Sequence, residues 1–332
     1  MSMFWRALFA IASLCTASFL SAAPHFKVGL VLDKGGKDDK SFNASAYEGL
    51  EKARKELGVE IKFVEGTDDN SFEPLLRSFA KKEYDLIIAV GFSQAEALSK
   101  VAAQFPQRKF AIVDSEVKLP NVRSLMFEEH QGSYLAGALA AMKAKSGKIG
   151  FVGGMDNPLI RRFLVGYEAG AKSINPKITL ITNFVGLTGD AWNNPPKAKE
   201  LALSQYQAGA EVIYSAAGAS NKGVFDAAEE KKSLAIGCDS NQNWIKPGFI
   251  LTSMLKRVDQ AVFTSIKETS AGAFTAGTVR YGLANEGVDL SHDSYNEKLI
   301  DASQKKRIAQ IKQDIVSGKI KVPDYYLQIV HR

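Results

Sequence analysis

Lys27-Val28-Gly29-Leu30-Val31 returns as Lys148-Ile149-Gly150-Phe151-Val152, 121 residues further along the chain. Working outward, Asp85-Leu86-Ile87-Ile88-Ala89-Val90-Gly91 answers to Glu211-Val212-Ile213-Tyr214-Ser215-Ala216-Ala217-Gly218. Phe110-Ala111-Ile112-Val113-Asp114-Ser115 answers to Leu234-Ala235-Ile236-Gly237-Cys238-Asp239-Ser240. Solenoid units repeat every 20–50 residues or so, and this period is far longer. It is the length of a lobe. Each copy alternates continuous apolar runs with amphipathic helical stretches, the mark of parallel sheets covered on both faces. The expected fold is α/β: two Rossmann-like lobes, each a parallel sheet flanked by helices, joined by short hinge crossovers. A cleft between such lobes is where a small molecule sits.

The 332 residues suffice for two cores. Residues 1–23 read as a signal peptide: one charge at Arg6, an apolar stretch from Ala7 to Leu20, then Ser21-Ala22-Ala23. The apolar stretch is shorter than the ~20 residues a membrane anchor needs. Cleavage near Ala23 sends the mature chain to the periplasm. The rival is acylation at Cys15, but Leu14 is large where a lipoprotein signal wants a small residue. The first lobe is expected to take residues 24–129 and 257–277, the second 130–256 and 278–332. Thr278–Ala284 reads as a strand, 286–296 as a loop and 301–317 as a charged helix.

Charged residues make up 23% of the chain and the formal net charge is +6. The basic residues are scattered as helix-surface pairs without interleaved aromatics, which excludes a nucleic-acid groove. Four histidines and two cysteines leave little for a metal site or disulfide framework, so no cofactor is expected. The first βα turn reads Asp33-Lys34-Gly35-Gly36-Lys37, which does not fit a dinucleotide-binding Gly-x-Gly-x-x-Gly.

Ligands of open parallel sheets bind at the carboxyl ends of strands. There the repeat puts Asp33, Ser93 and Asp114 in one lobe and Gly218 and Asp239 in the other. Asp114 and Asp239 are pseudo-symmetric carboxylates, acceptors suited to hydroxyls or ring N–H groups. Ser41 falls at a helix N-cap, where its hydroxyl is expected to take up a free backbone N–H. Phe42 follows in the first helical turn, beside Asn43. Trp192 stands in the polar loop 189–196, where an indole suits stacking on a flat ligand.

Asp38-Asp39-Lys40-Ser41-Phe42-Asn43, the run from Phe127 through Glu129-His130-Gln131-Gly132 to Gly137, and Thr252-Ser253-Met254-Leu255-Lys256-Arg257-Val258-Asp259 together resemble the basic membrane protein, or purine nucleoside receptor, family. Its members are extracytoplasmic solute-binding proteins of ABC-type nucleoside importers. The resemblance implies a type I periplasmic-binding-protein fold, expected as a monomer, with a purine nucleoside (guanosine, inosine or adenosine) between the lobes and an ABC-type permease as partner. It also implies that Phe42 and Trp192 sandwich the base and that Asp114 bonds the base edge. Asp239, Lys256 and the backbone of Gly218 would hold the ribose. This chain departs from the family in carrying Trp192 where Phe is common. Two rivals stay open: a binder of a pentose, another small polyol or a signalling molecule, and a nucleoside hydrolase using Asp114 and Asp239 as acid and base.

Overall fold

A computed structural model describes residues 26–330; the expected signal peptide and Cys15 lie outside them. The first half runs β1 (Lys27–Leu32), α1 (Phe42–Leu57), β2 (Glu60–Glu65), α2 (Phe72–Lys81), β3 (Leu86–Val90), α3 (Ala95–Gln104), β4 (Lys109–Val113) and β5 (Val122–Phe127). The second half opens with α4 (Glu129–Lys143) and β6 (Lys148–Met155), then α5 (Pro158–Ile174), β7 (Thr179–Gly186) and α6 (Pro195–Gln207). It continues through β8 (Val212–Ala216), α7 (Asn221–Lys231), β9 (Leu234–Asp239) and β10 (Ile250–Lys256). The chain ends with α8 (Val258–Ser270), β11 (Gly277–Tyr281), β12 (Val288–Leu290), α9 (Ala302–Val316) and α10 (Tyr325–Val330).

Two six-stranded sheets form, in the orders β11-β5-β4-β3-β1-β2 and β12-β10-β9-β8-β6-β7. The central strands β3, β4, β8 and β9 are almost wholly buried, as continuous apolar runs sandwiched by helices must be. The outer strands β2 and β7 are half-exposed. One apolar cluster is continuous through both lobes, while smaller ones lie under α2 and α3 in one and under α6 and α7 in the other.

The chain crosses between sheets three times: at Glu128 between β5 and α4, at Arg257 between β10 and α8, and through 282–287 between β11 and β12. Two of these crossings are single residues. Helix α8 packs on α1 of the first lobe. Strand β11 pairs in parallel with β5, so residues 278–281 lie in the first sheet and not, as expected, with the second lobe. The open edge of β5 accepts them, and an apolar run does not itself say which edge it will meet. Val288–Leu290, expected as loop, pairs antiparallel with β10.

Helices α4 and α5 are the most closely packed pair. A methyl group added at Gly137 would strike the backbone of Tyr167, and one at Gly166 or Gly170 the backbone of His130 or Tyr134. Small residues let the helix axes approach. This seats α5 directly behind the hinge.

Candidate functional site

The carboxyl ends of both sheets face each other around a partly open cavity. Eight of the ten expected residues line it: Asp33, Phe42, Asn43 and Asp114 from the first lobe, Trp192, Gly218, Asp239 and Lys256 from the second. Ser41 and Ser93 do not. Both instead hydrogen-bond carboxylates of the wall.

Asp114, just past β4, and Asp239, the last residue of β9, have φ of 65° and 67°. A left-handed backbone is uncommon for a residue with a side chain and costs of order 1–3 kcal/mol. The same departure at both repeat positions turns both carboxylates toward the cavity. Each is then met from the opposite lobe. Lys256 Nζ donates to Asp114 Oδ2 at 2.6 Å, and Ser41 Oγ donates to Asp239 Oδ2 at 2.5 Å. Asp114 Oδ1 is buried and has no partner among the described residues.

Ser41 therefore does not cap α1. Asp39 does, accepting the backbone N–H groups of Ser41, Asn43 and Ala44 at 2.8, 2.9 and 3.0 Å. A carboxylate two residues earlier outcompetes the hydroxyl because it accepts several N–H groups at once. Ser41 is thereby free to reach Asp239 and the carbonyl of Cys238. Asn43 ties the turn together, donating to Asp39 and accepting the N–H of Asp33 at 2.9 Å. Ser93 Oγ donates to Asp33 Oδ1 at 3.0 Å.

The aromatic walls come from opposite lobes. The Trp192 indole fills the space a side chain at Gly154 of β6 would occupy. Phe42 stands across the cavity, its ring centroid 5.2 Å from Lys256 Nζ. Leu159, Ile160 and Phe163, from the first turns of α5, add an apolar floor that sequence reasoning missed. Their helical spacing fits a buried core face equally well.

The family model for the ABC transporter substrate-binding protein PnrA-like (Bmp) matches residues 26–325. The chain belongs to this family. It is 36% identical over 320 residues to the ABC transporter nucleoside-binding protein BmpA of Lactococcus lactis subsp. cremoris, covering 90% of this chain and 89% of that one. A protein of Pyrococcus abyssi described as a lipoprotein is 36% identical over 326 residues, covering 93% and 77%. The crystal structure of an ABC transporter solute-binding protein from Aeropyrum pernix K1 superposes with a TM-score of 0.83 at 32% identity, covering 90% and 94%. The fold is the type I binding-protein fold, and the family is one of extracytoplasmic substrate-binding proteins, which work with a membrane permease.

The cleft carries more buried acid than base. Burial lifts Asp33 to about 6, against the pull of the Lys34 N–H and Ser93. Burial likewise raises Asp114 to about 7, opposed by Lys256 and reinforced by Glu129. Asp239 is also raised, again by burial first. For Lys256, burial works against the charge, but Asp114, Glu129 and Asp239 outweigh it and hold the ammonium above its usual range. Lys256 thus faces three carboxylates, and the cavity favours ligands rich in donors.

Proposed function

We propose that this substrate-binding protein captures a purine nucleoside between Phe42 and Trp192, leaves it unaltered and delivers it to the permease. The observation that carries the reading is the buried, unpartnered Asp114 Oδ1 in a cavity with aromatic walls from both lobes. An unpaired buried acceptor costs about 1–3 kcal/mol, and a ligand donor would satisfy it. The nucleoside-binding name of the lactococcal relative supports the same ligand class.

The planar base stacks on both rings, each stack contributing ~1–3 kcal/mol. Asp114 and Lys256 present an acceptor and a donor together, which suits the vicinal hydroxyls of ribose better than a base edge. Asp239 and the Gly218 backbone complete that end, and Asp33 accepts a ring N–H. Closure pivots at Glu128, Arg257 and 282–287 and carries the second aromatic onto the ligand. Affinity in the micromolar range needs about −8 kcal/mol, within reach of two stacks and a few charge-assisted bonds. The mature protein is taken as a free periplasmic monomer released by signal cleavage; intact mass of the secreted chain separates this from acylation at Cys15.

Calorimetry with inosine, guanosine, adenosine, the free bases and ribose tests the reading. Nucleosides should bind at micromolar or better, and Trp192→Ala should weaken them by at least ~10-fold. Ribose binding as tightly as inosine, with Trp192→Ala unchanged, would hand the site to sugars.

A further inference from the structure

Behind the cleft lies a second charged set that ligand contact does not explain. Arg162, on α5, has no solvent exposure. Its guanidinium donates to Asp324 Oδ1 and Oδ2 at 2.7 and 2.8 Å, to Glu129 Oε2 at 2.6 Å, to Glu128 Oε2 at 3.2 Å and to the carbonyl of Phe127. The ring of Tyr326 covers it at 4.6 Å. Glu129 turns its other oxygen to Lys256 Nζ at 3.0 Å, and Lys256 meets Asp114.

An unbroken line of alternating sign therefore runs Asp324, Arg162, Glu129, Lys256, Asp114. It begins on the C-terminal tail just before α10 and ends on the floor of the cleft. On the way it grips the hinge, because Phe127 ends β5, Glu128 is the crossing residue and Lys256 ends β10. Buried charges persist only when paired on each side, so each member fixes the next. Glu128, His130 and Asp324 also bring possible ligand atoms within 4.8 Å of one another. Arg162 donates to two of the three, however, so the seat for a cation there is taken by its guanidinium. His130 is held to about 4 by burial and then by Arg162, and so stands neutral.

We propose that the tail segment carrying Asp324 is a positioning element of the binding site: through Arg162 and Glu129 it keeps the Lys256 ammonium shared between Glu129 and Asp114. The segment does not touch the cavity. It acts by keeping Glu129 shared between two cations. Without Asp324, Arg162 draws Glu129 toward itself and Lys256 is left to Asp114.

The test is Asp324→Asn, with Asp324→Glu as the charge-retaining control, read in two ways. Carboxyl NMR of the ligand-free protein follows the titration of Asp114, which faces Lys256, Glu129 and Asp239. Asp324→Asn should move its midpoint down and Asp324→Glu should restore it. A purely structural loss at the tail would lower the melting temperature without moving that midpoint. Inosine affinity, the second readout, rests on the nucleoside reading and should fall about fivefold in Asp324→Asn. An Asp114 midpoint identical in wild type and Asp324→Asn overturns the proposal, as does a Glu variant that behaves like the Asn variant. If wild type binds no inosine, the nucleoside reading fails and the titration alone decides.

Discussion

Asp114 and Asp239 occupy equivalent positions in the two lobes, share the same left-handed backbone, and are satisfied in opposite ways. Asp239 receives a neutral hydroxyl from Ser41, and Asp114 receives the ammonium of Lys256. Duplication supplied the same strand end twice, and what approaches from the facing lobe made one half a hydrogen-bonded wall and the other an ion pair with a bare oxygen. The sharper chemistry sits on the side with the charge.

The largest break in the comparison comes from removing the cation. Lys256→Met leaves Asp114 and Asp239 without their cation and Glu129 with Arg162 alone. Breaking a buried pair in this way costs about 3–5 kcal/mol. Ser41→Ala removes only a hydroxyl from Asp239 and should cost ~1.5 kcal/mol. Urea denaturation of the two variants measures the ratio. Equal losses would mean that the lobes contribute alike and that the asymmetry has no energetic content.

Proton concentration separates the halves more gently. Asp114 is raised to about 7 in the folded protein, whereas an unperturbed Asp titrates near 3.9. The native chain therefore holds a proton that the unfolded chain releases between roughly pH 4 and 7. Stability from this group grows as pH falls through that window and is lost as pH rises through it. Asp33 and Asp39, at about 6, act in the same direction. Ligand binding should run the other way, because a protonated Asp114 no longer accepts two bonds. Between pH 7.5 and pH 5.5 the apo melting temperature should rise or hold, while inosine affinity falls by about tenfold, one pKa unit being 1.36 kcal/mol. Melting curves and calorimetry on one buffer series check both signs.

How much of this could be read from residues alone divides along the same line. The paired Asp-Ser turns announce the repeat and with it two lobes, their sheets and the cleft between them. What escaped was contact across long sequence separations. Ser41 looks like a cap because its neighbours are visible, while its partner Asp239 lies 198 residues away. Lys256 entered only through family resemblance, since a lysine ending a strand usually lies at a surface. Arg162 did leave a trace: it falls among Leu159, Ile160, Phe163 and Tyr167 on a helix face that must be buried. A charge in an apolar stripe implies a buried partner, but nothing local names Asp324. Strand β12 was missed because three residues carry too little periodicity to distinguish strand from loop.

The backbone itself offers the finest contrast. If the left-handed turns at 114 and 239 are equivalent, replacing each Asp by Ala and by Gly should give the same difference between the two replacements. Neither replacement keeps a carboxylate, so subtracting one from the other cancels the lost hydrogen bonds and leaves the conformational term. Glycine tolerates positive φ, and Ala there is strained, so the Gly variant should be the more stable by about 1 kcal/mol despite its larger unfolded-state entropy. The differences at 114 and 239 should agree to within ~0.5 kcal/mol. A gap larger than that would mean that one turn is held by its ion pair and relaxes once the carboxylate is gone, which makes the charged half of the cleft the more deformable one.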